Sequence, residues 1–199
     1  NTCGSGTSSS LPITVNPGPT VVLSASGATT ICNGQSATLV LTFTGIGPWT
    51  YTYSDGSSGT TNTTSSNPFS FDVYPTLTKT YTVTSLSDGI CDALPSQITG
   101  SVTVTVKQRP TSVISCTPGT LCAGSSTTLS VVLTGASPWN FTYSDGTPVT
   151  VNSATTPYTL TISPASSRTY TVTNLSDLNC SALTGDMTGS ATITVNPLP

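Results

Sequence analysis

Three observations predict an all-β chain built from tandem antiparallel β-sandwiches. They are an aromatic stretch with a period of two, its recurrence ninety positions later (139 − 49), and turn dipeptides between short apolar runs. The stretch runs Trp49-Thr-Tyr-Thr-Tyr-Ser-Asp-Gly56 and returns as Trp139-Asn-Phe-Thr-Tyr-Ser-Asp-Gly146. Its aromatics alternate with Thr, Asn or Ser, the pattern of a strand with one buried face. Each copy closes on Asp-Gly, where glycine accepts a positive φ at no steric cost.

Taken in order, residues 1–17 read as the end of a repeat whose beginning is absent. Cys3 followed by Leu11-Pro-Ile-Thr-Val-Asn-Pro17 parallels Cys91 followed by Val102-Thr-Val-Thr-Val106. Two explanations stand: a window cut from a longer tandem protein, or an N-terminal strand that completes a sandwich in a neighbouring molecule. Repeat one spans 18–108. Val21 to Ser24 reads as its first strand and Ile31-Cys-Asn-Gly34 as a turn. Ala37, Leu39, Leu41 and Phe43 are the inward residues of the second strand. The aromatic strand follows, then a polar loop with room only for a short edge strand near Thr60 to Thr64. Phe69, Phe71 and Val73 alternate next, then Tyr81 and Val83. A long loop from Leu86 to Gln97 carries Cys91, and Val102, Val104 and Val106 form the last strand.

Repeat two, 109–199, follows the same order with Leu129, Val131 and Leu133, then Tyr158, Leu160 and Ile162, Tyr170 and Val172, and finally Ala191, Ile193 and Val195. Seven or so short strands in about ninety residues is the arithmetic of an immunoglobulin-like sandwich. The junction Lys107-Gln-Arg-Pro110 is short and contains proline, which predicts an extended rod.

Composition narrows the function classes. Charged residues are 6% of the chain against about a quarter in an average soluble protein, so Ser and Thr hydroxyls must coat the surface. Thr suits the solvent face of a sheet because it is β-branched. The net charge is −3, and Lys79, Lys107, Arg109 and Arg168 are the only basic residues, which argues against nucleic acid as a partner. No run approaches the roughly 18 to 20 apolar residues of a membrane helix, so direct membrane insertion is not expected. Six Cys and no His point to an oxidising, extracellular setting.

The residues also resemble a known family. Ile31-Cys-Asn-Gly-Gln-Ser-Ala-Thr-Leu39, Gly47-Pro-Trp49, Tyr51-Thr-Tyr-Ser-Asp-Gly56, Tyr81-Thr-Val-Thr84 and the Thr-Val-Asn-Pro-Leu-Pro ending are similar to the Ig-like or PKD-like tandem repeats of very large Bacteroidetes surface proteins, the gliding-motility adhesin repeats among them. The second copy carries Leu121-Cys-Ala-Gly124, Ser137-Pro-Trp139 and Tyr170-Thr-Val-Thr173. The resemblance implies export to the cell surface by the type IX route and a role as spacer or adhesive stalk. The partners it implies are neighbouring repeats of the same protein or filament.

The cysteines admit two frameworks. Cys32–Cys91 and Cys122–Cys180 would give one bridge per repeat, each worth about 4 kcal/mol in chain entropy. Against this, the turn holding Cys32 and the loop holding Cys91 lie at opposite ends of an Ig sandwich, farther apart than the roughly 7 Å a disulfide allows. The alternative is an inter-repeat Cys32–Cys180 staple, with Cys91 and Cys122 seeking partners in preceding and following repeats and Cys3 belonging to a still earlier junction. Cys116, placed where repeat one has Ser26 (116 − 90), has no counterpart and would change the framework if it bridged Cys180 or Cys122.

Chemistry is sparse. Without His, and with seven Asp and no Glu, neither a base-nucleophile pair nor a facing carboxylate pair is visible, so a non-catalytic chain is expected, with no cofactor and no metal. Asp88 and Asp92 invite a calcium reading, but two acids fall short of six to eight oxygens, and a turn-capping role explains them. Trp49 and Trp139 invite a sugar platform, with surface glycans as partners and a carbohydrate-binding accessory module as the alternative function. Their alternation with other aromatics places them in the core instead.

Overall fold

The computed structural model describes residues 14–198. Cys3 and most of the 1–17 segment lie outside the described residues. By internal contacts the chain divides into two compact units. One comprises residues 14–29 with Ala37–Val73 and Lys79–Val104; the other comprises Thr30–Ser36, Tyr74–Thr78 and residues 105–198.

In the first repeat the strands are β1 (Thr20–Ser26), β2 (Thr30–Cys32), β3 (Ala37–Thr44), β4 (Trp49–Ser54), β5 (Gly59–Thr64), β6 (Phe69–Val73), β7 (Lys79–Ser87), β8 (Ile98–Thr99) and β9 (Ser101–Lys107). They form one sheet in the order β6-β3-β1-β8 and another in the order β2-β9-β7-β4-β5. The expected alternation holds on β3, where Ala37, Leu39, Leu41 and Phe43 are each no more than 3% exposed. On β4 Trp49 and Tyr51 are buried and Tyr53 half-buried. Aromatic contacts tie the two faces together, Phe43 against Trp49 and Tyr51, and Phe71 against Tyr53. Each such buried side chain contributes about 1.5–3 kcal/mol.

Two local expectations change and one holds. The segment read as a turn at Ile31 begins with strand β2, which pairs parallel to β9, Ile31 opposite Val106. The chain thus leaves one sheet after β1 and joins the other at β2. The short edge strand for which the polar loop had room near Thr60 to Thr64 is present as β5, at the edge of its sheet and paired with β4 from Trp49↔Thr64 to Ser54↔Gly59. β5 buries only Thr64, so apolar periodicity could not reveal it. Hydroxyl pairs Thr50–Thr63 and Thr52–Thr61, both at 2.9 Å, take the place of apolar cross-strand contacts. Finally, β7 runs on through the buried Leu86 to Ser87, and the rest of the expected loop holds a 3-10 turn, Pro95–Gln97, before β8. β8 pairs parallel to β1. Gly100, at φ +86°, turns the chain there, and a Cβ on it would stand 2.1 Å from the Leu23 carbonyl oxygen.

The second repeat contains β10 (Ser112–Thr117), β11 (Thr120–Cys122), β12 (Thr127–Leu133), β13 (Trp139–Tyr143), β14 (Pro148–Val151), β15 (Tyr158–Ile162), β16 (Arg168–Tyr170), β17 (Val172–Ser176), β18 (Met187–Thr188) and β19 (Ala191–Asn196). Its sheets are ordered β15-β12-β10-β18, β11-β19-β16 and β14-β13-β17. The strand that is continuous as β7 is interrupted at Thr171, separating β16 from β17. Both repeats share a bulge at one place. Register shifts between Thr52 and Tyr53 and between Thr142 and Tyr143, and the skipped Thr84 and Thr173 hydroxyls donate to the Thr52 and Thr142 carbonyls. Leu129, Val131, Leu133, Trp139, Phe141 and Tyr143 form the core with Ile114, Leu175 and Ile193.

Candidate functional site

The most specific chemistry among the described residues is built around cysteines whose positions local turns set. In the loop after β17, one carboxylate oxygen of Asp177 accepts the Asn179 and Cys180 N–H groups at 2.8 and 2.6 Å, and the other accepts Ala136 N–H at 2.9 Å. This fixes the direction of Cys180 from the backbone. Asp88 does the same after β7, accepting Cys91 N–H at 2.9 Å and Ile90 N–H at 3.0 Å. These two N–H bonds hold its carboxyl below the usual carboxylate range. Asp88 therefore acts as the turn cap anticipated from the sequence.

Cys32 ends β2 and is held from both sides. Its N–H donates to the Gln35 side-chain oxygen at 2.9 Å, and Gln35 N–H returns to the Cys32 carbonyl at 2.9 Å. Asn33 N–H donates to the Lys107 carbonyl at 2.8 Å, anchoring the turn to β9. In the second repeat Ala123 N–H donates to Asn196 O at 2.8 Å and Ser125 N–H to Cys122 O at 3.0 Å. Cys122 thus sits in the same kind of turn.

Cys32 and Cys180 form a disulfide with Cα atoms 5.8 Å apart and a sequence separation of 148. Both belong to the unit that includes Thr30–Ser36 and the second repeat. Of the two frameworks open from sequence, one bridge per repeat is overturned: neither Cys32–Cys91 nor Cys122–Cys180 forms, and Cys91, Cys116 and Cys122 are free thiols. Strand register gives the reason: β2 pairs with the Thr105–Lys107 end of β9, whose neighbour Val104 is opposite Lys79 at the start of β7, whereas Cys91 follows the far end of β7 at Ser87. Cys116 also differs from expectation. Strand register puts Cys116 opposite Leu129 as Ala25 is opposite Leu39, so its counterpart is Ala25 rather than Ser26. Its thiol points at the Thr192 carbonyl, 3.5 Å away, and it bridges neither Cys180 nor Cys122.

Beside the disulfide stands an ion pair that composition did not single out. Arg109 Nε donates to Asp186 Oδ2 at 2.7 Å, and a second guanidinium nitrogen reaches the Asn33 carbonyl. Asp186 also accepts Leu183 N–H at 2.8 Å. Arg109 holds the Asp186 carboxyl below its ordinary range, helped by the Leu183 N–H, and Asp186 raises the guanidinium in return. A signal existed in the sequence: Arg109 is one of four basic residues and falls in the short Pro-containing junction.

Both tryptophans are core residues, which corrects the sugar-platform reading. Trp49 is 7% exposed and Trp139 3%. The Trp49 ring stacks on Phe43 with centroids 5.0 Å apart, and Gly47 lies so close to it that a Cβ there would meet the ring at 2.8 Å. Each indole N–H is satisfied internally, by the Thr44 carbonyl at 3.1 Å and the Thr134 carbonyl at 2.9 Å. Neither ring offers a face on which a sugar could stack.

No known family profile matches the chain, and no curated protein matches it in sequence. Among solved structures, an I-band fragment of titin matches with a TM-score of 0.50 and 15% identity, covering 92% of this chain and 67% of that one. A glutamate-to-alanine variant of the three-Ig titin fragment matches at 0.48 and 15%, covering 90% and 66%. A fragment of a 1.5-MDa bacterial ice-binding adhesin matches at 0.36 and 14%, covering 90% and 65%. The chain spans about two thirds of the length of the titin fragments. The first of these likenesses shows an immunoglobulin-like β-sandwich fold, and at this identity it shows the fold alone.

Proposed function

We propose that the chain is a non-catalytic segment of an extracellular stalk or filament, in which Ig-like repeats 18–108 and 109–199 are strung head to tail. The observation that carries it is the disulfide between the β2 end of one repeat and the β17–β18 loop of the next. A covalent lock placed where two repeats adjoin limits bending in a way that a lock inside either sandwich does not. The Arg109 contacts with Asn33 and Asp186 support the same role. Cysteine pairing fits an oxidising extracellular location, and the sequence resemblance points to a Bacteroidetes surface adhesin exported by the type IX route. The partners are then neighbouring repeats of the same protein. Small-angle scattering of the oxidised chain tests this. A rod with the length of two sandwiches end to end is expected, and a compact or freely hinged particle would overturn the stalk.

A further inference from the structure

The described residues hold one completed staple and, in the two free cysteines related to it by the repeat, both of its halves again. We infer that Cys122 and Cys91 are half-cystines of further staples of the same kind. Cys122 bonds the loop cysteine of a following Ig-like unit, and Cys91 bonds the β2-type cysteine of a preceding one. This rests on the tandem reading and names the partner at each end.

The equivalence is structural as well as sequential. Cys122 ends β11, which pairs parallel to β19 as β2 pairs to β9, with Cys122 opposite Asn196 as Cys32 is opposite Lys107. The following N–H groups make the same two turn bonds in each case. Cys122 is exposed. At the other end, Cys91 and Cys180 share an Asp cap three residues before, two N–H bonds to it, and the isolated bridges Ser87↔Asp92 and Ser176↔Ser181. The bonded Cys180 is 5% exposed, whereas Cys91 is half-buried beside an open depression bordered by Gly89, Ile90 and Asp92. The turns that aim the two bonded sulfurs are therefore already formed around the two free ones.

The ionic contact does not repeat in this way. Gln97 stands where Asp186 does, closing its loop by accepting Leu94 N–H at 2.7 Å, and its amide donates to the Gly18 carbonyl at 3.1 Å instead of meeting a guanidinium. In the sequence Leu198 follows β19 where Arg109 follows β9. The cysteine pair is thus the common fastening, and the Arg109–Asp186 pair is peculiar to one junction. Cys116, which stands at the place of Ala25 and faces the Thr192 carbonyl, takes no part. Closing a staple removes two protons and two electrons from two thiols. Glutathione disulfide is the class of oxidant required: one thiolate attacks it to give a mixed disulfide, and the second thiolate displaces glutathione, leaving two glutathione thiols.

The test is a chain in which Pro199 is followed directly by a second copy of residues 111–199, so that Pro199 takes the place of Pro110. It is oxidised in a glutathione redox buffer and digested without reduction. The expected digest contains a Cys122 peptide joined to the Cys180 peptide of the appended copy, beside the original Cys32–Cys180 pair, which certifies that the first junction has formed. Cys122→Ser should abolish the new pair and leave the original. A Cys122 that remains free, or is joined to Cys116, would overturn the inference. The mirror chain, with a copy of residues 18–110 placed before Thr20, should join Cys91 to the copy's Cys32, and a free Cys91 there would overturn that half. A hinged particle in scattering with the Cys122 link formed would defeat the stalk and spare the staple, so the two failures are distinguishable.

Discussion

Replacing both cysteines of the bridge, Cys32→Ser with Cys180→Ser, removes the cross-link without leaving a thiol to exchange with Cys91, Cys116 or Cys122. The bridge closes a separation of 148 residues, for which the chain-entropy relation gives about 5 kcal/mol at 25 °C. If the second repeat unfolds while the first stays folded, the released loop runs only from Pro110 to Cys180, roughly 70 residues, and the same relation gives about 4 kcal/mol. The logarithm makes the two routes nearly equal, so the loss depends little on whether both repeats open or only the second. Strain in the folded chain usually brings the measured value to about 2–4 kcal/mol. Guanidinium denaturation, followed by indole fluorescence of Trp49 and Trp139 and by far-ultraviolet dichroism, should show the double variant weaker by that amount. The oxidised parent treated with dithiothreitol should follow the variant's curve. A variant whose unfolding free energy matches the oxidised parent within about 0.5 kcal/mol would refute a constraint acting through the unfolded chain.

Two further outcomes follow from buried polar groups. Tyr143 OH and Ser112 Oγ are buried with no hydrogen-bond partner among the described residues, and such a group costs about 1–3 kcal/mol, so Tyr143→Phe and Ser112→Ala should each raise the melting temperature; a lower one would show a hidden partner. At alkaline pH, burial raises the phenols of Tyr51 (to about 12, with a smaller push from Tyr53), Tyr81 and Tyr143 above the ordinary value of 10. The folded form thus favours the neutral phenol, and its contribution is complete below pH 10 and is lost as pH rises toward 12. Absorbance of tyrosinate against pH should show a late phase coincident with loss of sheet dichroism, and a single phase near pH 10 with intact sheets would contradict it.

Strands were legible wherever one face is apolar. Leu39, Leu41 and Phe43 could be assigned to the interior because a period of two is a property of neighbouring residues. β5 was obscure for the opposite reason, since its partners to β4 are Thr hydroxyls and a solvent-coated strand looks like a loop. The parallel β2–β9 and β1–β8 pairings join residues about 75 positions apart (105 − 30, 98 − 21) through very short strands, which leave no periodic trace. Asp88 could be read as a turn cap because two acids in its loop are too few for a calcium site, whereas Arg109 could not be matched with Asp186, because nothing near either residue records the other.

By itself the sequence determined the repeat, the inward faces of its longer strands and the burial of both tryptophans, all of which follow from local alternation and from the copy ninety residues on. Tertiary structure alone decided between the two cysteine frameworks. Spacing treats Cys32–Cys91 and Cys32–Cys180 alike, and only the fold establishes which loop arrives within 5.8 Å, Cα to Cα, of the end of β2. A disulfide depends on a meeting of distant backbones, and no local pattern encodes that meeting.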